Sequence, residues 1–338
     1  MPKNDSQEVM ETNTANSIPF EAFARFERIT TKEPLLYCEP PAWAAAAHAI
    51  VAEDTVHYLW AEKKAENFWV HMHSFAPVSD PAKVTHDSRN PILQASLRGF
   101  DSRDVEYPFP FFNPADGRYY MYYLGKELDK PGRKQTGLLV SDGDLGQWTR
   151  VSDEPVVAIE EAHEKHGCSH PSVVVVDDTI HMVYTSEVPA PPGRREILYN
   201  VPTICHATAP TSNPAQVSKN PANPIFSGSG QAWDREGVRE AEILKDAVYF
   251  HIFYGGYDGA VWTIGHVRTR DFLIFEPNPH NPIFTPSPDP EAWDSNGLLT
   301  PQVFAINGVY YMIYAGLKGS GWDRVSAVQT GLAVARPT

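Results

Sequence analysis

Short apolar stretches alternate with polar turns along the whole chain, and the alternation itself recurs at long range. A proline followed by two apolar residues appears as EPLL (33–36), NPIL (90–93), EPVV (154–157), NPIF (223–226) and NPIF (281–284). Downstream of each come a loop, an apolar run, a turn and a Tyr-rich run: AIVAEDTVHYLWAE, FPFFNPADGRYYMYYLG, SVVVVDDTIHMVYTS, EILKDAVYFHIFYGG and QVFAINGVYYMIYAG. A further apolar run follows every time, as FWVHMHS, TGLLVSD, TICHATA, TIGHVRT and TGLAVAR. Runs of this length, rich in Val, Ile, Tyr and Phe and bounded by turn residues, predict strands. The period is roughly 60 residues, with about four strands in each unit.

Such a unit cannot bury both faces of its sheet alone, so it must pack against its neighbours. Five four-stranded units arranged radially predict an all-β fold, a five-bladed β-propeller with antiparallel blades. A linear array would need capping units, and the end units here look like the middle ones. The expected organisation is a polar, mobile tail over residues 1–17 and a single propeller domain over residues 18–338.

Composition narrows the partners. Aromatic residues make up 12% of the chain and there are 30 prolines, which suits short strands and tight loops. The formal net charge of −14 argues against nucleic acid, whose phosphates require a basic surface. No apolar run approaches the ~18 residues of a membrane span, and the N-terminal MPKNDSQEVMETNTANS has no apolar leader. The expectation is therefore a cytoplasmic protein with a small-molecule or carbohydrate ligand. Cys38, Cys168 and Cys205 lack C-x-x-C spacing and suggest neither a disulfide framework nor a zinc site.

In a propeller the first strand of each blade runs beside the central channel, and its start opens onto one face. The residues at the start of those strands are Ala45-Ala46, Glu106-Tyr107, Ser169-His170, Arg239-Glu240 and Leu299-Thr300. Structural residues at equivalent steps should resemble one another, and these do not. The ring carries two carboxylates, an imidazole, a guanidinium and a phenol, a convergence that suits acid–base chemistry. Glu240, Glu106 and Asp104 are the candidate catalytic groups, with His170, Arg239, Tyr107 and Thr300 as candidate substrate contacts. Asp104 enters because it stands where the corresponding loops have Gly237 and Gly297.

Other features read more plainly. Asp101, Asp234 and Asp294 recur at one step of three units, so they are expected to cap turns. His71, His206 and His266 are read as equivalent third-strand residues, too far apart around a ring to share an ion; no metal or cofactor is expected. Loops between second and third strands offer Lys126, Arg133, Arg194, Arg195, Trp322, Asp323 and Arg324, of which Trp322 and Arg324 are the preferred sugar contacts.

The runs HPSVVVVDDTIHMVYTS, VREAEILKDAVYFHIFYGG and WDSNGLLTPQVFAINGVYYMIYAG resemble the blades of five-bladed glycosidases. The similarity covers roughly residues 33 to 336, and the nearest in character are the family 43 arabinanases and xylosidases and the family 130 mannoside phosphorylases. The resemblance implies an Asp, an Asp and a Glu at the starts of three first strands. REAEIL resembles the strand that carries the Glu, which makes Glu240 the implied general acid. Ala46 stands where the family's base is expected, and His170-Pro171 replaces Asp-Pro, so Asp104 or Glu106 would supply the base from a shifted position.

The leading expectation is a glycoside hydrolase-like enzyme acting on a small glycoside or oligosaccharide. The alternatives are a propeller recruited for cyclisation or isomerisation of a non-sugar molecule, which the Ala44–Ala47 run favours, and a non-catalytic carbohydrate-binding propeller.

Overall fold

Strands form at the steps the repeat predicts, and among the described residues the only helical elements are short 3-10 turns. The structure is a computed structural model that describes residues 17–193, 200–319 and 325–337. The chain enters through a 3-10 turn, Phe20–Phe23, and β1 (Phe26–Arg28). A first sheet follows from β2 (Trp43–Ala52), β3 (Thr55–Lys63), β4 (Trp69–Pro77) and β5 (Thr85–His86). Next come β6 (Asp104–Asn113), β7 (Arg118–Glu127), β8 (Lys130–Ser141) and β9 (Thr149–Arg150), then β10 (Gly167–Val176), β11 (Thr179–Pro189), β12 (Asn200–Pro210) and β13 (Ser218–Lys219). These two sets of four are antiparallel meanders, joined into one eight-stranded sheet by a single parallel residue pair, Gly167 with Lys134. The sheet of β14 (Gly237–Lys245), β15 (Phe250–Tyr257), β16 (Trp262–Thr269) and β17 (Phe275–Pro277) is separate.

The last sheet holds β18 (Gly297–Ile306), β19 (Val309–Gly319) and β20 (Val325–Ala335), and its fourth strand is β1 from the other end of the chain. Phe26 pairs with Ala335 and Arg28 with Ala333. The sequence repeat does not foretell this closure, because three residues carry no periodicity.

The strands β2, β6, β10, β14 and β18 touch in succession, and β18 returns to β2, closing a ring. They are buried on both faces over most of their length, as β18 shows with eight consecutive buried residues. Apolar clusters fill the gaps between successive sheets. One joins Phe109 and Tyr122 to Met182 and Tyr184, and another joins Tyr58 and Trp60 to Phe304 and Leu332. The Pro-apolar-apolar motifs seal each join: Leu93, Val157, Phe226 and Phe284 bridge back to the third strand of the preceding unit, at His71, Thr136, Ile204 and Ile264, and Leu36 bridges to Thr330 of β20.

The Tyr-rich second strands have a specific cause. Tyr123, Tyr254 and Tyr314 are buried and donate their hydroxyls to Asp101, Asp234 and Asp294 at 2.8, 2.9 and 3.0 Å. Tyr184 donates to Glu164 in the same way at 2.9 Å. The preceding aromatic rings, Phe100, Trp233 and Trp293, lie over glycines of the second and third strands such as Gly125, Gly256 and Gly316, where a Cβ would collide. The recurrent aspartates therefore lock loop to blade. Asp234→Ala strands a buried phenol and is expected to cost about 2 kcal/mol in urea unfolding, against about 1 kcal/mol for Tyr254→Phe. Equal stability of both variants and the parent would refute that role.

One sequence expectation is corrected. His73, His206 and His266 are the equivalent residues, each donating its backbone N–H to an asparagine, Asn90, Asn223 or Asn281. His71 corresponds instead to Ile204 and Ile264. A slip of two residues keeps the same strand face, so the apolar pattern alone could not detect it.

Candidate active site

Five residues at one step of the inner strands share an unusual backbone. Ala46, Tyr107, His170, Glu240 and Thr300 have φ of 51°, 49°, 56°, 55° and 51°. At each of them the pairing with the second strand breaks, between Ala45 and His48, Glu106 and Phe109, Ser169 and Ser172, Arg239 and Glu242, and Leu299 and Gln302. These are β-bulges, which leave a residue unpaired and re-aim the side chains beside it. The unpaired step explains Pro108, Pro171 and Pro301, since a residue lacking an N–H costs nothing where no ladder bond is made. A left-handed backbone at a β-branched residue such as Thr300 is a genuine outlier and marks a place where the fold holds strain. The ring read from the repeat is thus built by one backbone device used five times.

The polar members of the ring converge on a cavity of about 290 Å³ that Asp104, Glu106, Tyr107, His170, Arg239, Glu240 and Thr300 all line. Glu240 is buried. Thr300 Oγ1 donates to its Oε2 at 2.9 Å. Arg239 Nε forms an ion pair with Oε1 at 2.9 Å, and His170 Nε2 stands 3.8 Å from the same oxygen. The backbone N–H of Glu240 donates to Thr185 Oγ1 at 2.9 Å, which fixes the strained turn. The Tyr107 ring meets the His170 ring edge to face at 3.9 Å. Burial, and then the Glu240 carboxylate, push the Tyr107 hydroxyl far above its ordinary pKa. Burial, and then the Arg239 guanidinium, hold His170 far below the usual imidazole range, so it is a neutral ring whose Nδ1 meets Ser169 Oγ at 2.8 Å.

Arg239 also reaches Glu187, with Nη2 at 3.3 Å from Oε1. Lys134 Nζ lies 2.8 Å from the other oxygen of Glu187, and Asn200 donates to it at 3.0 Å. Burial acts to raise Glu187, yet the two cations bring it down to about 2. Glu187 therefore remains an anion and shares the Arg239 guanidinium with Glu240.

A second carboxylate group lines the same cavity from β6. Glu106 is ion-paired to Lys126, and burial raises it above the usual carboxylate range against that pairing. Asp104 is committed to the scaffold: Oδ1 accepts the backbone N–H of Trp69 at 3.1 Å, while Arg103 and Lys126 stand 3.7 and 3.8 Å from Oδ2.

Two residues beyond each bulge lies a deeper layer of His48, Phe109, Ser172, Glu242 and Gln302. His48 Nε2 meets Glu242 Oε1 at 2.8 Å, and burial raises Glu242. Gln302 clamps the backbone of Ala49 through both its amide atoms. This layer was legible in principle as the next same-face step of each first strand, and reading one ring alone passed over it. Lys63, Lys134 and Glu187 were missed because the cross-strand pairing that brings them in depends on register. Arg133 donates to Gln135 rather than lining the cavity. Arg194, Arg195, Trp322, Asp323 and Arg324 lie outside the described residues.

No family model matches the chain. Among curated proteins it is 27% identical over 104 residues to a β-1,2-mannobiose phosphorylase of Thermoanaerobacter sp. (strain X514), a match that spans 27% of this chain and 33% of the relative. Among solved structures it superposes on a glycoside hydrolase with a TM-score of 0.70 at 14% identity, over 99% of this chain and 97% of the other. A structure from the family 130 of mannoside phosphorylases, described as containing hydrolases that target β-1,2-mannosidic linkages in Candida mannan, gives 0.67 at 14% identity over 95% and 96%. A thermostable family 43 glycoside hydrolase gives 0.64 at 13% identity over 88% and 95%. No helix among the described residues is long and apolar enough to cross a membrane. The chain has the all-β fold of the propeller glycoside hydrolases, built from four-stranded antiparallel sheets.

Proposed function

We propose that the chain is a five-bladed propeller enzyme that cleaves the glycosidic bond of a small glycoside or oligosaccharide, with Glu240 as general acid. The ring of inner strands and the apolar cluster at each join support the blade count. The observation that carries the function is the setting of Glu240: a buried carboxyl on a strained bulge, lining a cavity together with a second buried carboxyl, Glu106. Two carboxyl groups across a sugar-sized cavity are the minimum for glycoside cleavage.

In this reading the Glu240 proton passes to the departing glycosidic oxygen as the bond to the anomeric carbon breaks, while a water that gives its proton to the base forms the new bond to that carbon. Thr300 orients the carboxyl, and Glu187 shares the Arg239 guanidinium with it. Glu106 is favoured over Asp104 as the base. Burial raises its pKa, which makes it the more basic carboxylate, whereas one oxygen of Asp104 is occupied with the Trp69 backbone. Neutral His170, Tyr107 and Arg239 contact substrate hydroxyls.

The test is a panel of aryl glycosides assayed with and without inorganic phosphate, with the product anomer followed by NMR. Turnover on some member supports the reading, phosphate dependence separates phosphorolysis from hydrolysis, and the anomer reports inversion or retention. Sugar binding with no turnover on any member would reject it in favour of a carbohydrate-binding propeller.

A further inference from the structure

Most cations at the cavity have an anionic neighbour. Lys126 has Glu106, Lys134 has Glu187, Arg239 has Glu187 and Glu240, and Arg103 stands loosely by Asp104 at 3.7 Å. Lys63 lines the same cavity and makes no ion pair among the described residues. Its ammonium sits 3.8 Å from the centre of the Trp43 ring. The register sets Trp43, Lys63 and Trp69 side by side across β2, β3 and β4, with the two indoles edge to face at 6.1 Å. Beside this wall stands Ala45, and Ala46 holds the bulge step of the same strand, so β2 sends no long side chain from those positions into the cavity.

Burial depresses the Lys63 pKa, and the carboxylates of Glu106 and Asp104 only partly oppose this. The indole face stabilises the cation from one side but accepts no conventional hydrogen bond from its donors. A partly desolvated ammonium with unused donors is relieved by an anion arriving from the cavity. The whole chain carries a formal charge of −14, so this cationic corner is local rather than part of a general basic surface.

We propose that the cavity selects glycosides bearing an oxyanion, a sugar carboxylate or a phosphate ester, which docks on Lys63 and Arg103 with the sugar ring against Trp43. The inference rests on the glycoside reading above and names the substrate class for it. A planar guanidinium and an ammonium both suit an oxyanion, and an indole face suits the apolar face of a sugar.

Sugar pairs that differ only in charge test it. Glucose and glucuronate, galactose and galacturonate, and mannose and mannuronate are titrated against the full chain by tryptophan fluorescence, alongside the hexose 6-phosphates and inorganic phosphate alone. In at least one series the charged sugar is expected to bind roughly tenfold tighter or more. That preference should weaken with salt, disappear in Lys63→Met and persist in Lys63→Arg. Whether the uronate or the phosphate ester gains identifies the source of the oxyanion. Equal binding within every pair overturns the proposal, as does an undiminished preference in a folded Lys63→Met. Inorganic phosphate alone competing as strongly as the charged sugars also overturns it, as a generic anion site. Charge-selective binding without turnover would defeat the glycosidase reading and leave this docking intact, whereas turnover of neutral glycosides without charge preference would do the reverse.

Discussion

Glu240→Gln is expected to lower turnover of an aryl glycoside with a poor leaving group by about 10³-fold, within the range that a positioned general acid contributes. The substitution keeps shape, so Thr300 Oγ1 can still donate to the retained side-chain oxygen and the bulge remains anchored through Thr185. What is lost is the dissociable proton. A 2,4-dinitrophenyl leaving group departs without protonation, so on that substrate the loss should shrink to about tenfold or less. The contrast between the two leaving groups is the diagnostic measurement. A uniform loss on both would assign Glu240 to substrate positioning, and unchanged turnover on both would remove it from the mechanism. A thermal midpoint within a few degrees of the parent confirms that the comparison is between folded enzymes.

The second large effect concerns acid stability. Three sheets carry stacked histidine pairs joined ring to ring: His57 Nδ1 with His73 Nε2 at 3.0 Å, His181 with His206 at 3.2 Å, and His251 with His266 at 3.0 Å. One proton serves the contact in each pair, and a second there would charge one buried ring and set two N–H donors against each other. Burial lowers all six, His57 to about 4 and His206 to about 3, although Asp87 and Asp246 act to raise His73 and His251. These rings stay neutral in the fold, while in the unfolded chain they titrate near 6.5. Below pH 6.5 the unfolded state therefore binds protons that the folded state refuses. Stability is fully present above that pH and is lost as the pH falls toward 4, by up to about 1.4 kcal/mol per histidine per pH unit. Urea unfolding at several pH values should show a steep decline between pH 6 and 5, above the range where ordinary carboxylates titrate. His206→Asn should flatten that slope by about one proton. A stability profile level from pH 7 to 5 would contradict the prediction.

How far the sequence carried depends on what kind of information each feature holds. The strand order and the ring of Tyr107, His170, Glu240 and Thr300 were readable because repetition compares each residue with its counterparts, and an unlike residue at a like step stands out. The same comparison could not see that the step is a bulge with a left-handed backbone. Ala, Tyr, His, Glu and Thr share no conformational preference, so the surrounding sheet, rather than the residue, imposes φ. Cross-strand neighbours were the main blind spot. That Lys63 stands between Trp43 and Trp69 follows from register, which two tight turns set and no periodicity reports. The slip between His71 and His73 has the same root, since positions two apart are indistinguishable by face. Asp104 shows the opposite failure. Its departure from glycine was correctly noticed, but one of its oxygens serves the Trp69 backbone rather than the cavity alone.

The ladder between β1 and β20 acts as a clasp on the whole circle. The other joins between neighbouring sheets rest on side-chain packing, on the backbone bridges of the Pro-apolar-apolar motifs and on the one parallel pair at Gly167. At the clasp, and just beyond it where Leu36 bridges to Thr330, the two ends of the chain, as far apart as Glu27 and Arg336, meet at hydrogen-bonding distance. The circumference is therefore a fixed quantity, and the thickness of every wedge enters it. An extra methylene in any inter-sheet cluster displaces all later wedges in the same direction, so small misfits accumulate at one seam instead of relaxing where they arise. The central cavity inherits that tolerance, because its diameter is set by the same sum.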